Sequence, residues 1–205
     1  MAGGTIGQKK ENGVLTLEIN NPPVNSYTHE MLRQLDDAIL QARFDDETHV
    51  IVITGAMDKF FSAGADINML AKQSLPYKNN FALHGHEVLC RLENTPKLII
   101  AAINGHAIGG GLEISMAADI RIARKDAGHL GLVEVGIGVM PGMGGTQRLP
   151  RLVGKARALE LCATGKQIAF EEALGMSLIH YIYERENFME QVMDYARQFI
   201  PPDNA

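Results

Sequence analysis

The chain is predicted to fold as an α/β domain with parallel crossovers, and three observations carry that prediction. Segments of strand character alternate with segments of helical periodicity from end to end. Two strands, 50–54 (VIVIT) and Leu98–Ile103 (LIIAAI), are nearly unbroken apolar runs, as expected when helices cover both sheet faces. The order apolar strand, glycine turn, helix occurs at 50–70 and again at 98–118.

Taken in order, Val14–Asn20 (VLTLEIN) alternates as a strand, with Leu15, Leu17 and Ile19 on one face, and Asn21-Pro22-Pro23 ends it. Over 28–44, Leu32, Leu35, Ile39 and Ala42 recur at helical spacing, with Ser26 or Thr28 as N-cap. The turn 60–66 (FFSAGAD) follows VIVIT, and 67–70 starts a helix. A second helix spans 79–92 and stops before Thr95-Pro96. After LIIAAI, Asn104-Gly105 leads into 108–116 (IGGGLEISM), with a helix over 110–118; 119–123 (DIRIA) returns as a strand. Helices at 155–163, 169–176 and 187–199 and a strand at 178–183 complete the chain.

A length of 205 residues suits one large domain or two small ones, with room for a sizeable core. A net charge of −5 argues against nucleic acid as the main partner, because phosphate binding leaves a basic face. A local Lys/Arg cluster for a phosphorylated small molecule is compatible with it. Cys90 and Cys162 lack CxxC or metal spacing and read as buried reduced thiols. The N-terminus lacks an apolar signal core, and no run of ~18 apolar residues occurs. A cytoplasmic protein without a membrane partner is expected.

Chemistry concentrates in three segments. In IGGGLEISM, three glycines open a helix whose N–H groups and dipole favour an anion. Glu113 is the only charged residue from Ala107 to Ala118, and a carboxylate in apolar company must be paired or raised in pKa. A solvent-facing first-turn glutamate is the plain alternative, and those neighbours argue against it. In 130–145 (LGLVEVGIGVMPGMGG), Glu134 is the only ionisable residue, again among apolar neighbours rather than on a polar strand face. FFSAGAD is the third segment; Asp66 there caps the next helix. The histidines 84, 86, 106 and 129 match no strong zinc spacing, and no metal is expected. Gly142–Gly145 with Thr146-Gln147-Arg148 lacks the GK[ST] ending of a phosphate loop. Met69, Leu70 and Phe81 are candidates for an acyl pocket, with core packing the plainer role. A dinucleotide-binding fingerprint after the first strand is absent.

These segments, FFSAGADI, IIAAINGHAIGGGLEISMAADIRIA (99–123), EVGIGVMPGMGGTQRLPRLVG (134–154) and ALELCATGKQIAFEEAL (158–174), resemble the crotonase superfamily, the enoyl-CoA hydratase/isomerase family, in order and near-family spacing. The resemblance implies the crotonase fold, a spiral of repeated ββα units, and an acyl-CoA thioester as substrate. It implies no cofactor, since coenzyme A is part of the substrate, and a homotrimer or hexamer. It places oxyanion-hole donors at Ala65 and Gly110, catalytic glutamates at Glu113 and Glu134, and substrate contacts at Ala63, Asp66, Ile67, Gly109, Pro141 and Gly142. Two glutamates favour an enoyl-CoA hydratase, with Glu113 activating water and Glu134 delivering a proton to Cα. Isomerisation, hydration of a branched methylglutaconyl-type thioester and a non-catalytic scaffold are the alternatives.

Three departures accompany the resemblance. The interval between the glutamates is one residue longer than in the best-known hydratases, with the extra residue near Gly128-His129. Val133 stands where proline is usual. The C-terminal helices usual in the family are expected to be missing, so that 1–205 is a single crotonase-like core domain.

Overall fold

A computed structural model describes residues 4–202. Among the described residues, ten strands form two sheets. The larger contains β1 (Thr5–Glu11), β2 (Val14–Asn20), β3 (Val50–Gly55), β5 (Leu98–Ile103), β7 (Ile120–Arg124) and β10 (Tyr181–Tyr183), side by side in that order. The smaller contains β4 (Phe60–Ser62), β6 (His106–Ile108), β8 (His129–Gly131) and β9 (Ile168–Ala169). Pairing is parallel except in the β1–β2 hairpin and between β8 and β9.

The strand–glycine–strand–helix repeat explains this division. β3 feeds the large sheet and β4 the small one before α2 (Ile67–Ala71) and α3 (Leu75–Glu93). β5, β6 and α4 (Gly110–Met116) repeat the pattern, and β7 and β8 begin a third unit. That unit continues through a 3-10 turn, Glu134–Ile137, into α5 (Gly145–Val153) and α6 (Lys155–Thr164). Each unit thus gives one strand to each sheet, the ββα spiral that the family resemblance implied.

The apolar strands owe their composition to burial on both faces. Ile51, Ile53, Ile99, Ala101 and Ile103 enter the main core with Leu32, Leu35 and Ile39 of α1 (His29–Phe44) and Val88, Leu89 and Leu92 of α3. Val50, Val52, Ile100 and Ala102 point the other way, onto Phe188, Val192 and Ala196 of α8 (Phe188–Arg197). Among the described residues no helix is long and apolar enough to cross a membrane.

Several boundaries differ from the sequence expectation for local reasons. α3 starts at Leu75 rather than 79, because Ser74 Oγ accepts the Tyr77 N–H at 3.3 Å and a proline fits the first turn. Thr28, not Ser26, caps α1. The strand expected at 178–183 shortens to β10, followed by α8 after α7 (Phe170–Gly175). Cys90 and Cys162 are free but only half-buried, rather than core thiols. Asp119 is structural, its Oδ2 accepting the Ile99 N–H at 2.8 Å. The extra residue near Gly128 falls in the β7–β8 connection, where Asp126 takes a φ of 54°. It therefore lies ahead of β8, while Glu134 follows the end of that strand.

Candidate active site

The three chemistry-bearing segments all leave the C-terminal ends of β4, β6 and β8, neighbouring parallel strands. After β4, Ser62 Oγ donates to the Asn25 carbonyl at 2.7 Å and accepts the Gly64 N–H at 3.1 Å, folding the chain back. Gly64 takes a φ of 89°, and a side chain there would start 2.9 Å from the Gly110 nitrogen. Only glycine allows this turn to lie against the opening of α4. Gly111 meets the Ser62 carbonyl with similar closeness.

Ala65 and Gly110 are thereby drawn together. Tyr27 donates its N–H to the Gly64 carbonyl at 2.9 Å, and the Asp66 N–H donates to the Tyr27 carbonyl at 3.0 Å. Those bonds bracket Ala65. Neither the Ala65 N–H nor the one on Gly110 has an acceptor among the described residues. Both are thus free to donate to a ligand oxygen.

Glu113 lies in the first turn of α4 and is 2% exposed. Its Oε1 accepts N–H bonds from Met143 and Gly145, each 2.8 Å. Burial raises its pKa above the usual carboxylate range; those two bonds, with the charges of Arg148 and His86, oppose the rise. Glu134 opens the 3-10 turn after β8. Its Oε2 is buried without a hydrogen-bond partner among the described residues. Burial, with the Glu113 charge adding to it, pushes Glu134 up to about 7. Two carboxyls therefore share one site in different states: one is anchored by N–H donors, and the other is inclined to keep its proton.

The remaining expected contacts divide. Gly109, at a φ of 55°, faces Glu134; a side chain there would begin 3.3 Å from Glu134 Oε1. Pro141 borders Gly145 beside Glu113, and Gly142 is an exposed residue of the same turn. Ala63 is tied by its N–H to the Val24 carbonyl at 3.0 Å. The Asp66 carboxylate is occupied as the α2 cap, accepting from Asn68 and Met69, and Ile67 is exposed at the start of that helix. Phe81 is buried and belongs to the core; Met69 and Leu70 pack against it in part.

Tyr27 is the residue the sequence did not single out. Its hydroxyl fills the space a Gly110 side chain would need and donates to Met143 Sδ at 3.4 Å, while its ring stacks on Phe81 at 6.1 Å. The available signal was its position just before the Thr28 cap, where an apolar residue staples a helix start.

Comparison with known proteins covers nearly the whole chain. The Enoyl-CoA hydratase/isomerase family model matches residues 9–205. A short-chain-enoyl-CoA hydratase of Clostridium acetobutylicum is 39% identical over 94% of this chain and 74% of its own length. A probable enoyl-CoA hydratase of Bacillus subtilis is 46% identical, over 81% of this chain and 64% of its own length. The crystal structure of an enoyl-CoA hydratase from Geobacillus kaustophilus superposes with a TM-score of 0.91 at 39% identity, covering 93% of this chain and 72% of that one. With its ββα spiral and nearly its whole length matched, the chain belongs to the enoyl-CoA hydratase/isomerase family.

Proposed function

We propose that this protein adds water across the α,β double bond of an enoyl-CoA thioester, without a cofactor. The observation that carries this reading is the pairing of an anchored carboxylate, Glu113, with a proton-retaining one, Glu134, beside two unpaired N–H groups. The Ala65 and Gly110 N–H groups act as an oxyanion hole, holding the thioester oxygen as it gains charge. Fixed donors favour that enolate-like state over the neutral substrate, by about 2.7–4 kcal/mol per donor. Glu113 uses the oxygen not engaged by Met143 and Gly145 to take a proton from water as the hydroxyl adds to Cβ. Glu134 gives its proton to Cα as the enolate collapses. The sum is one water added, and proton exchange between the carboxyls and solvent resets the pair.

The family resemblance further supports a homotrimer or hexamer. Exposed apolar side chains in the 3-10 turn, the segment after it and α6, including Ile137 at 61%, Met140 at 79% and Leu159 at 65% exposure, are consistent with a covered face.

The test mixes crotonyl-CoA with wild type, Glu113→Gln and Glu134→Gln and follows loss of the conjugated thioester absorbance. Loss is expected in wild type, with each variant slower by about 10²–10⁴-fold. Near-normal hydration by either variant would falsify the assigned roles. Bound thioester that wild type leaves unhydrated would favour another crotonase reaction.

A further inference from the structure

Glu113 is held by a turn, and the turn is held from beneath by a residue that does not touch Glu113. Arg148 of α5 is 5% exposed. Its Nη1 donates to the Met143 carbonyl at 2.8 Å and its Nη2 to Glu93 Oε2 at 2.8 Å. Nη2 also reaches Cys90 Sγ at 3.8 Å, and that sulfur lies 3.6 Å from His86 Nε2. His86, Cys90 and Glu93 are spaced i, i+4, i+7 along α3, so one face of that helix packs against the guanidinium. The same Met143 whose carbonyl binds Arg148 gives its N–H to Glu113. Gly144 and Gly145 separate the two charges: a side chain on Gly144 would meet Arg148 and His86, and one on Gly145 would meet Glu113.

We propose that Arg148 is the positioning residue for Glu113: it fixes the 141–145 turn through the Met143 carbonyl, keeps both N–H donors aimed at one carboxylate oxygen, and sets its positive charge beneath the turn that carries them. The glutamate side of the site is thus set by α3, a helix that contributes no reacting group. A buried guanidinium needs such partners. An isolated charge there is costly, whereas the planar fork satisfies a carbonyl and a carboxylate together. The groups that bear on the Glu113 charge are Arg148 from α5, His86 from α3, Glu134 from the 3-10 turn, Tyr27 ahead of α1 and Cys162 from α6. Of these only Arg148 is both permanently cationic and bonded to the turn.

The inference rests on the hydratase reading only for its rate consequence, so its test reads Glu113 directly. Carboxyl carbons are labelled with 13C, and the Glu113 signal is assigned by its loss in Glu113→Gln and titrated by NMR. In Arg148→Met the Glu113 titration is expected to move up by about one unit, and crotonyl-CoA kcat to fall more than KM rises. Arg148→Lys retains the charge without the fork and restores the titration more than the rate. If Arg148→Met does not fold, Glu93→Gln decides: the glutamine carbonyl still accepts from Nη2 at this half-exposed position, and neutralising the carboxylate leaves the guanidinium charge less compensated, moving the titration down. A Glu113 titration unmoved in folded Arg148→Met, or in Glu93→Gln where that variant decides, overturns the proposal. Coupled titrations in a protein that hydrates no enoyl-CoA would sink the hydratase reading and leave this one standing.

Discussion

Gly109 makes the room that Glu134 occupies. Its backbone sits at a φ of 55°, and a methyl group on its Cα would begin 3.3 Å from Glu134 Oε1. Gly109 is also the residue from which α4 starts. Gly109→Ala therefore strains the backbone and displaces the carboxyl together. A strained positive φ costs about 1–3 kcal/mol, and a misplaced catalytic group about 10²-fold in rate. Thermal unfolding and crotonyl-CoA turnover of the variant check the two effects separately.

The hydration rate should follow a bell-shaped dependence on pH. In the proposed reaction Glu113 must be ionised to take a proton, so activity rises as pH climbs through its value, which burial lifts above the usual range. In that reaction Glu134 must be protonated to give one, so activity falls as pH rises through about 7. The limbs belong to the interacting pair rather than to either residue alone. The high-pH limb should disappear in the residual activity of Glu134→Gln, and kcat/KM from pH 5 to 9 is the measurement.

Glu134 should also make wild type less stable in alkali. Its folded pKa is raised from 4.5 to about 7, so the folded state holds the proton more tightly than the unfolded chain. Stability is lost as pH rises from the unfolded value through the folded one, and it stays reduced above that. Glu134→Gln carries no charge at any pH. Relative to wild type it should gain on the order of 1–2 kcal/mol at pH 8, after discounting for residual solvent access, and nothing through this route at pH 4. Urea unfolding at both pH values tests it; equal differences at both would refute it.

Tyr27 joins both N–H donors, through its backbone to Ala65 and through its side chain to Gly110. Tyr27→Phe removes only a contact to a thioether, a weak acceptor, and should change stability by under about 1 kcal/mol. Tyr27→Ala empties the space beneath Gly110 and should cost about 3–5 kcal/mol, with a lower kcat from a loosened pair of donors. Denaturant melts and steady-state kinetics of the two variants distinguish hydroxyl from bulk.

The sequence exposed the parts of the fold whose signal is long or chemically odd. α1 shows a full amphipathic stripe, β3 and β5 are long apolar runs, and Glu113 is a lone charge in an apolar helix. β4, β6 and β8 stayed hidden because three residues display no period. β1 was missed because GQKKE faces solvent and its partner β2 provides the pairing. α5 carries Pro150 in its interior, which reads as a loop. Glu134 kept its isolation, but its apolar neighbours Val135 and Ile137 are exposed, so burial at that position comes from the fold and not from local composition. Arg148 gave no signal, since the partners that need it lie 5 and 55 residues away.

The small sheet has a mechanical consequence. Ala65, Gly110 and Glu134 each follow within three residues of the ends of β4, β6 and β8, which lie side by side. Adjacent strands are held about 4.8 Å apart by their backbone ladder. The ladder thus serves as a three-notch gauge: two N–H groups and a carboxyl are spaced by peptide geometry, which side-chain replacement hardly alters. Drift in the pocket walls leaves that spacing intact, whereas parting β6 from either neighbour dismantles the gauge in one step. Heat inactivation should accordingly be abrupt, and the amides of β6 should surrender their deuterium protection at the temperature where turnover stops.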